Sequence, residues 1–140
     1  AAWPKRAGLA TDAGGFISVN SFLQSTSHAN VFAAGDIASM VDQPRPKSGV
    51  YAVHAGPPLA ENLRRMLEGR PLKRHVPQKR ALYLIGTGGH HAIASWGPFS
   101  WQGRWVWRWK DRIDRAFIAR FSRDTPTEAN LLHRSESESP

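Results

Sequence analysis

The chain has 140 residues, no cysteine, 41% hydrophobic residues and a formal net charge of +8 at pH 7. This length suits one domain or a piece of a larger one, and a chain of this size can bury a core. Without cysteine the chain has neither disulfides nor thiolate metal sites. Its sequence also lacks an apolar run long enough for a membrane span and an apolar signal segment at its start.

The first half of the chain predicts two short strands and one long helix. Residues 1–14 are predicted to form a loop with a short helical turn, and the alternation over residues 16–20 indicates a strand. A second, buried strand is predicted over residues 31–34. From residue 49 to residue 68 the pattern is helical, with the core candidates Val53, Leu59, Leu63 and Leu67.

Two prolines lie inside this predicted helix, and a glycine follows it. Pro57 and Pro58 stand in its middle, and proline inside a helix costs about 3 kcal/mol, so we expect a kink or a fresh helix start there. Gly69 is the predicted C-cap. The loop before the helix, residues 37–48, is stiffened by Pro44 and Pro46.

The second half predicts a hairpin followed by a helix. Its elements are a basic connector at 70–80, a strand at 81–85, a turn at 86–89, a strand at 92–96 and a helix at 101–121. Residues 124–140 are polar and are predicted to be disordered, because they cannot bury enough apolar surface.

The segment Val31-Phe32-Ala33-Ala34-Gly35-Asp36 is a short apolar run that ends in Gly-Asp. In open α/β sheets, ligands bind beyond the carboxyl ends of the strands. Glycine lets a ligand approach the backbone, and a carboxylate accepts hydrogen bonds from hydroxyls. A sugar or polyol therefore fits Gly35 and Asp36, although aspartate is also typical of helix N-caps and turns.

Together with the helix that begins at Gly49, this segment resembles the second flavin-binding motif of the FAD-dependent pyridine nucleotide-disulfide oxidoreductases. The resemblance covers about residues 1–121 and is closest to type II NADH:quinone dehydrogenases, of the kind found fused to selenophosphate synthase. It implies an α/β fold (α+β for these residues alone). Residues 1–69 would end a Rossmann-like FAD-binding domain, residues 70–123 would form a small α+β unit of hairpin and amphipathic helix, and residues 124–140 would be a tail.

The resemblance also implies FAD as the cofactor. Gly35 and Asp36 would contact its ribityl chain, and the backbone of Gly49, Val50, Tyr51 and Ala52 would face its pyrimidine edge. There the free N–H groups and the helix dipole would stabilise the negative charge of the reduced flavin.

The resemblance further implies an enzyme that takes hydride from NAD(P)H to FAD and passes electrons to an acceptor such as a quinone. No Gly-x-Gly-x-x-Gly is present, so NAD(P)H would bind in a missing N-terminal part of the same polypeptide. We therefore expect a C-terminal fragment that binds FAD poorly and has no turnover alone. The whole protein would be cytoplasmic, or peripheral on the inner face of the membrane.

The helix departs from the quinone dehydrogenases at two positions. Val50 and His54 stand where those enzymes have glutamines that line the quinone pocket, which puts a quinone acceptor in question. His54 is a candidate to hydrogen-bond an acceptor or pass a proton, because its charge changes near neutral pH; a packed histidine is the alternative. Tyr51 would shield the flavin or pack in the core, and Lys47 would add positive charge or be solvated.

Other chemistry finds little support in the sequence. His90 and His91 are adjacent, and adjacent residues of a strand point to opposite faces, so we predict no metal site. No Gly-x-Ser-x-Gly elbow is present, which argues against a hydrolase.

Residues 101–121 predict a basic amphipathic helix that begins near Trp101. Its apolar stripe consists of Trp105, Trp109, Ile113, Phe117 and Phe121, beside the basic stripe Arg104, Arg108 and Arg112. Such a helix fits an anionic membrane surface, or it packs on its own domain with solvated arginines. The alternative functions are therefore a non-enzymatic module that binds anionic membrane or nucleic acid, and a structural piece that supports an oligomer. No nucleic-acid recognition motif is present, which argues against nucleic acid.

Overall fold

In a computed structural model of the chain, the structure describes residues 2–122. These residues form two compact units, the first ending at Leu82 and the second beginning at Tyr83. The predicted tail at 124–140 lies outside the described residues. The predicted connector at 70–80, which the sequence assigned to the second domain, falls within the first unit.

The first unit contains a two-stranded parallel sheet. Strand β1 (Ile17–Val19) pairs with β2 (Ala38–Met40), with Ile17 opposite Ala38 and Val19 opposite Met40. Ile17, Val19 and Ala33 form its buried core, against which Leu9, Ile37, Ala38 and Met40 pack. The strand predicted over 16–20 is confirmed, and β2 was not predicted. A short helix, α1 (Trp3–Arg6), precedes the sheet.

The strand predicted over 31–34 is wrong. Only Phe32 makes a β-bridge, to Gln24, while the backbone N–H of Ala33 donates to Leu23 O at 3.0 Å. Gly35 then turns the chain with φ +72°, and a 3-10 helix (Gly35–Ile37) follows. This positive φ ends the extended backbone before it. Asp36 therefore lies in a turn that precedes strand β2, and not at the end of a strand.

Helix α2 (Gly49–Leu67) runs through Pro57 and Pro58 without interruption, so no fresh helix starts there. The carbonyls that lose their amide donors belong to Val53 and His54, which are exposed residues, so water can satisfy them. The predicted cap is confirmed: Gly69 has φ +66°, its N–H donates to Met66 O, and the N–H of Arg70 donates to Arg65 O.

The predicted core face of α2 is wrong for three of its four residues. Leu59 is half-buried, but the other three are exposed: Val53 at 49%, Leu63 at 42% and Leu67 at 89%. The buried residues of α2 are instead Ala55, Asn62 and Arg65. A hydrophobicity pattern misses this face because its two polar members form hydrogen bonds with backbone groups outside the helix, which the sequence does not reveal.

Hydrogen bonds of Asn62, Arg65 and Arg45 attach the connector to the rest of the first unit. The Asn62 side chain exchanges hydrogen bonds with the backbone of Lys73, and its Nδ2 also donates to Phe22 O at 2.8 Å. Arg65 donates to Pro71 O at 3.0 Å. Further along, Arg45 donates to the carbonyls of Gln78 and Pro77. The connector is therefore fixed at several points from residue 71 to residue 78.

The second unit is a three-stranded sheet with one helix. Strands β3 (Leu82–Gly88), β4 (His91–Trp96) and β5 (Phe99–Gly103) are ordered β3-β4-β5, and helix α3 (Arg104–Ser122) follows. The predicted hairpin and helix are confirmed, but the helix begins at Arg104 because β5 occupies residues assigned to its start. Ala92, Ala94 and Val106 are fully buried where α3 packs on the sheet.

Candidate functional site

A cavity of about 310 Å³ lies in the first unit. It brings together the turn at Gly35 and Asp36, strand β2, the loop before α2, and the first turns of α2. Residues 12–16 and the connector residues His75 and Pro77 complete the wall. Ligand cavities usually have volumes of about 300–1,000 Å³, so this one is large enough to hold part of a ligand.

Gly35 and Asp36 form one edge of the cavity. Gly35 has a φ of +72°, which L residues rarely adopt. A Cβ added at this position would stand 3.5 Å from Ala52 Cβ. The Asp36 side chain is exposed, and its carboxylate has no hydrogen bond or ion pair with any residue from 2 to 122. A carboxylate at the mouth of a cavity with both oxygens uncommitted can accept hydrogen bonds from ligand hydroxyls.

Ser48 precedes α2 at the N-cap position but does not cap the helix. Its backbone is extended (φ −162°, ψ 149°), and its side chain makes no cap hydrogen bond. The hydroxyl oxygen is buried and has no hydrogen-bond partner among the described residues. No acidic residue stands in the first helical turn. The first backbone N–H groups of a helix have no partners within the helix, so this end of α2 offers uncommitted donors beside the cavity.

Asp12, Phe16 and Lys47 line the same cavity, and sequence reasoning missed the first two. The backbone N–H groups of Phe16 and Gly14 donate to Asp12 Oδ1 at 3.0 and 2.9 Å. The hydrogen bond from Phe16 and one from the Ser39 hydroxyl are the main causes that lower the pKa of Asp12, with a smaller effect from the Lys47 charge. The signal in the sequence was Asp12-Ala-Gly-Gly-Phe16, which fits an aspartate that closes a turn.

Lys47 is not free in solvent. Its ammonium lies 4.2 Å from the centroid of the Phe16 ring and donates to Ala38 O. These contacts hold one positive charge at the rim of the cavity.

The structure brings together most of the predicted site residues. Gly35, Asp36, Tyr51 and Ala52 line the cavity, whereas Gly49 and Val50 begin the helix without lining it. Their roles toward a cofactor remain predictions.

His54 lies at a second cavity of about 290 Å³, with Tyr51, His75, Val76, Pro77 and Gln78. Tyr51, His75 and Pro77 line both cavities. Burial, and secondarily the charge of His54, lowers the pKa of His75. Sequence reasoning named His54 but missed His75, which follows a run of basic connector residues and carries no local signal.

His90 and His91 make separate contacts in the second unit. The His90 ring meets the Trp107 ring edge to face, with centroids 4.4 Å apart, while His91 Nδ1 is 3.0 Å from Thr87 Oγ1. Within residues 2–122 the structure contains no group of three or more histidine, aspartate or glutamate side chains that could hold a metal ion.

The apolar stripe of α3 is exposed in the second unit. Trp105 is 54% exposed and Phe121 63%, and the helix packs on its sheet through Val106 instead. The Trp105 and Trp109 rings stack with centroids 6.4 Å apart, and on β5 the Phe99 and Trp101 rings stack at 6.1 Å. Among the described residues, no helix is both long and apolar enough to cross a bilayer.

Comparison with known proteins points to one class. The sequence profile of the family described as pyridine nucleotide-disulphide oxidoreductase matches residues 1–56, which contain the Gly35–Asp36 turn and the start of α2. The chain is also 36% identical, over 86 residues, to ferroptosis suppressor protein 1 of Xenopus laevis. That alignment covers 61% of this chain and 22% of the frog protein, so the chain spans about a fifth of that relative's length. The part of the chain that forms most of the first cavity is thus similar to oxidoreductases.

Proposed function

We propose that residues 1–69 form one side of an FAD site in an NAD(P)H-dependent flavin oxidoreductase. The observation that carries this proposal is the single cavity that joins Gly35 and Asp36 to the uncapped start of α2. The matching family profile over residues 1–56 supports it. NAD(P)H and most of the FAD would be held by the remainder of the polypeptide, and the polypeptide that carries this segment together with that remainder would be the active enzyme.

The residues present fit a flavin nucleotide. Asp36 has an uncommitted carboxylate for the hydroxyls of a polyol, and Gly35 keeps side-chain atoms away from the adjoining backbone. A free carboxylate beside a glycine suits a hydroxyl-rich ligand that lies close to the backbone.

The chain's own residues would then bind and orient the cofactor. Asp36 would accept hydrogen bonds from the ribityl hydroxyls, while the first N–H groups of α2 and the ammonium of Lys47 would favour negative charge on the ligand. FAD, when bound, supplies the hydride and electron chemistry.

A quinone is one candidate acceptor, and the second cavity is where we place it. His54 at its rim is the candidate to hold or pass a proton, as the sequence suggested. His54 is exposed, which gives a proton at its ring access to solvent. His54→Gln introduces the residue expected at this position in the quinone dehydrogenases. It should leave quinone reduction intact if a hydrogen bond to the quinone is all that the reaction needs from this position.

The test is FAD affinity in the polypeptide that carries this segment. Asp36→Ala should weaken FAD binding roughly 10–100-fold, since hydrogen bonds to a charged group contribute about 1.5–3 kcal/mol. Asp42→Ala is the matched control, because Asp42 is exposed and lies outside the cavity lining. Equal FAD retention in both variants would contradict the proposal. So would stoichiometric FAD in the 140-residue chain purified alone, since most contacts would then be here.

A second function is favoured by the exposed stripe of α3. We propose that this helix and β5 bind an anionic membrane surface, with the aromatic rings at the interface and Arg104, Arg108 and Arg112 toward lipid phosphates. The exposed side chains combine apolar area and positive charge on one helix, as interfacial helices do. The fully buried residue of α3 is Val106, which is not part of this stripe.

Vesicle co-sedimentation tests this second proposal. The triple alanine variant of Arg104, Arg108 and Arg112 should lose binding to vesicles that contain phosphatidylglycerol. A triple alanine variant of the exposed Lys5, Arg6 and Lys79 is the charge-matched control in the first unit. Binding to neutral vesicles without salt dependence, or binding to DNA in preference to vesicles, would overturn the assignment to anionic lipid.

A further inference from the structure

The second cavity is lined by hydrogen-bond donors and by no negative charge. Phenol, imidazole and amide side chains can all donate hydrogen bonds, and they supply the polar residues of the lining. No carboxylate side chain of the described residues lines this cavity. The cavity therefore suits a ligand that is rich in acceptors. Its lining consists of Tyr51, His54, His75, Val76, Pro77 and Gln78.

Positive charge borders the same cavity. The guanidinium of Arg45 donates to the carbonyls of Gln78 and Pro77, at 3.1 and 3.3 Å, so it lies against two lining residues. Arg74 and Lys79, which follow the lining residues closely in the chain, are exposed. None of these three cations forms an ion pair with a carboxylate of residues 2–122. The electrostatic potential around the cavity therefore favours an anion.

His75 is half-buried and lacks a countercharge. Burial, and after it the charge of His54, lowers the pKa of His75, and no carboxylate of the described residues opposes these two effects. An anion in the second cavity would supply the countercharge, since an opposite charge nearby favours the protonated ring. The charged residues of the first cavity, which His75 also lines, are Asp12, Asp36, Arg45 and Lys47.

We propose that the second cavity binds an organic anion, which has a carboxylate or oxyanion group on a small apolar body. The anionic group accepts hydrogen bonds from His54 and His75, and the apolar body lies against Val76 and Pro77. This inference goes beyond the proposed function, because it gives the second cavity a ligand class of its own whether or not FAD binds in the first. A neutral quinone is the competing occupant.

Benzoate and its neutral counterpart benzamide test this proposal on the 140-residue chain. In NMR titrations of the histidine rings, benzoate should raise the pKa of His75 to its ordinary value of 6.5 or above. By linkage, benzoate should bind roughly tenfold more tightly at about pH 5.5 than at about pH 7.5, because the protonated ring is the form that it favours. Benzamide should bind more weakly and leave the pKa of His75 lowered.

Controls separate a bound anion from general screening by salt. Sodium chloride at the same ionic strength should not reproduce the rise in the pKa of His75. His28 is exposed and lies outside the cavity lining, so its ring should respond alike to chloride and benzoate in the same spectra. Inorganic sulfate, which has the charge without the apolar body, should raise the pKa of His75 but bind more weakly than benzoate. His75→Gln should weaken benzoate binding and remove most of its pH dependence, whereas His28→Gln should bind benzoate as the parent does.

Three results would overturn the proposal. Equal binding of benzoate and benzamide would favour a neutral occupant such as a quinone. A rise in the pKa of His75 that chloride reproduces, or that His28 shares, would be an effect of screening. Sulfate that binds as tightly as benzoate would make a free oxyanion, and not an organic anion, the ligand. None of these results involves Asp36, so each leaves the FAD site standing.

Discussion

The side-chain amide of Asn62 exchanges two hydrogen bonds with the backbone of Lys73, as a neighbouring β-strand would. Asn62 Nδ2 donates to Lys73 O at 2.9 Å, and Asn62 Oδ1 accepts from Lys73 N–H at 2.8 Å. The same Nδ2 also donates to Phe22 O. One fully buried side chain thus joins helix α2, the connector and the loop after β1.

Replacing Asn62 with alanine should destabilise the first unit by about 2–4 kcal/mol, because buried backbone groups would lose their partners. The measurement is the free energy of unfolding in urea. Asn30→Ala is the control, since Asn30 is exposed, and it should change stability by less than about 0.5 kcal/mol. Equal effects of the two substitutions would show that the amide pair contributes nothing.

The lowered pKa of His75 predicts a pH-dependent stability. Burial disfavours the protonated ring in the folded state, so the unfolded chain binds the proton first as pH falls below the ordinary value of 6.5. Stability should be fully present above pH 6.5 and decrease as pH falls toward the folded pKa of His75.

Urea unfolding at about pH 5.5 and about pH 7.5 checks this expectation, with His75→Gln losing part of the difference. In NMR titrations, His54→Gln should raise the pKa of His75, because the His54 charge helps to lower it. A His75 pKa at or above 6.5 in the parent chain would contradict the expectation.

Gly35→Ala should destabilise the chain by about 1–2 kcal/mol, because its φ of +72° is unfavourable for any residue with a Cβ. The neighbouring Ala52 Cβ, 3.5 Å away, adds no clash, so the cost is one of backbone conformation. Thermal unfolding is the measurement. Gly86→Ala is the control, since Gly86 has an ordinary φ and open space around it, and it should be neutral or slightly stabilising.

Val106→Ala should cost about 1–2 kcal/mol, because Val106 is fully buried between α3 and its sheet. Ile118→Ala, on the same helix but 61% exposed, should stay within about 0.5 kcal/mol of the parent. Urea unfolding of both variants checks the pair. A larger effect at Ile118 would mean that the outer part of α3 is covered in solution.

The elements that the sequence predicts well are those governed by local patterns. The β3–β4 hairpin, the C-cap at Gly69 and helices α2 and α3 follow from alternation, periodicity and turn residues. Strand β5 was missed because Trp101, at its centre, continues the aromatic and basic pattern of the helix. The strand predicted at 31–34 is wrong because an apolar run does not reveal that Gly35 bends the chain before it can pair.

Chemistry and motif together named Gly35, Asp36, Tyr51 and Ala52, which the structure places around one cavity, and their role as a cofactor site stays a prediction. Asp12 and His75 line the cavity but were not named from the sequence. The turn around Asp12 is a local pattern that does not indicate a cavity beside it, and the burial of His75 depends on the fold around the connector. The buried face of α2 was misjudged because Asn62 and Arg65 are polar residues that are buried with hydrogen bonds to the carbonyls of Phe22 and Pro71, outside the helix.

The three residues common to both cavities have a further consequence. Because Tyr51, His75 and Pro77 line both cavities, an occupant of one cavity that moves them also changes the shape of the other. The carbonyl of Pro77 accepts a hydrogen bond from Arg45, which limits how far this shared wall can move. Two occupants, one in each cavity, would then change each other's affinity by the same factor, whichever arrived first.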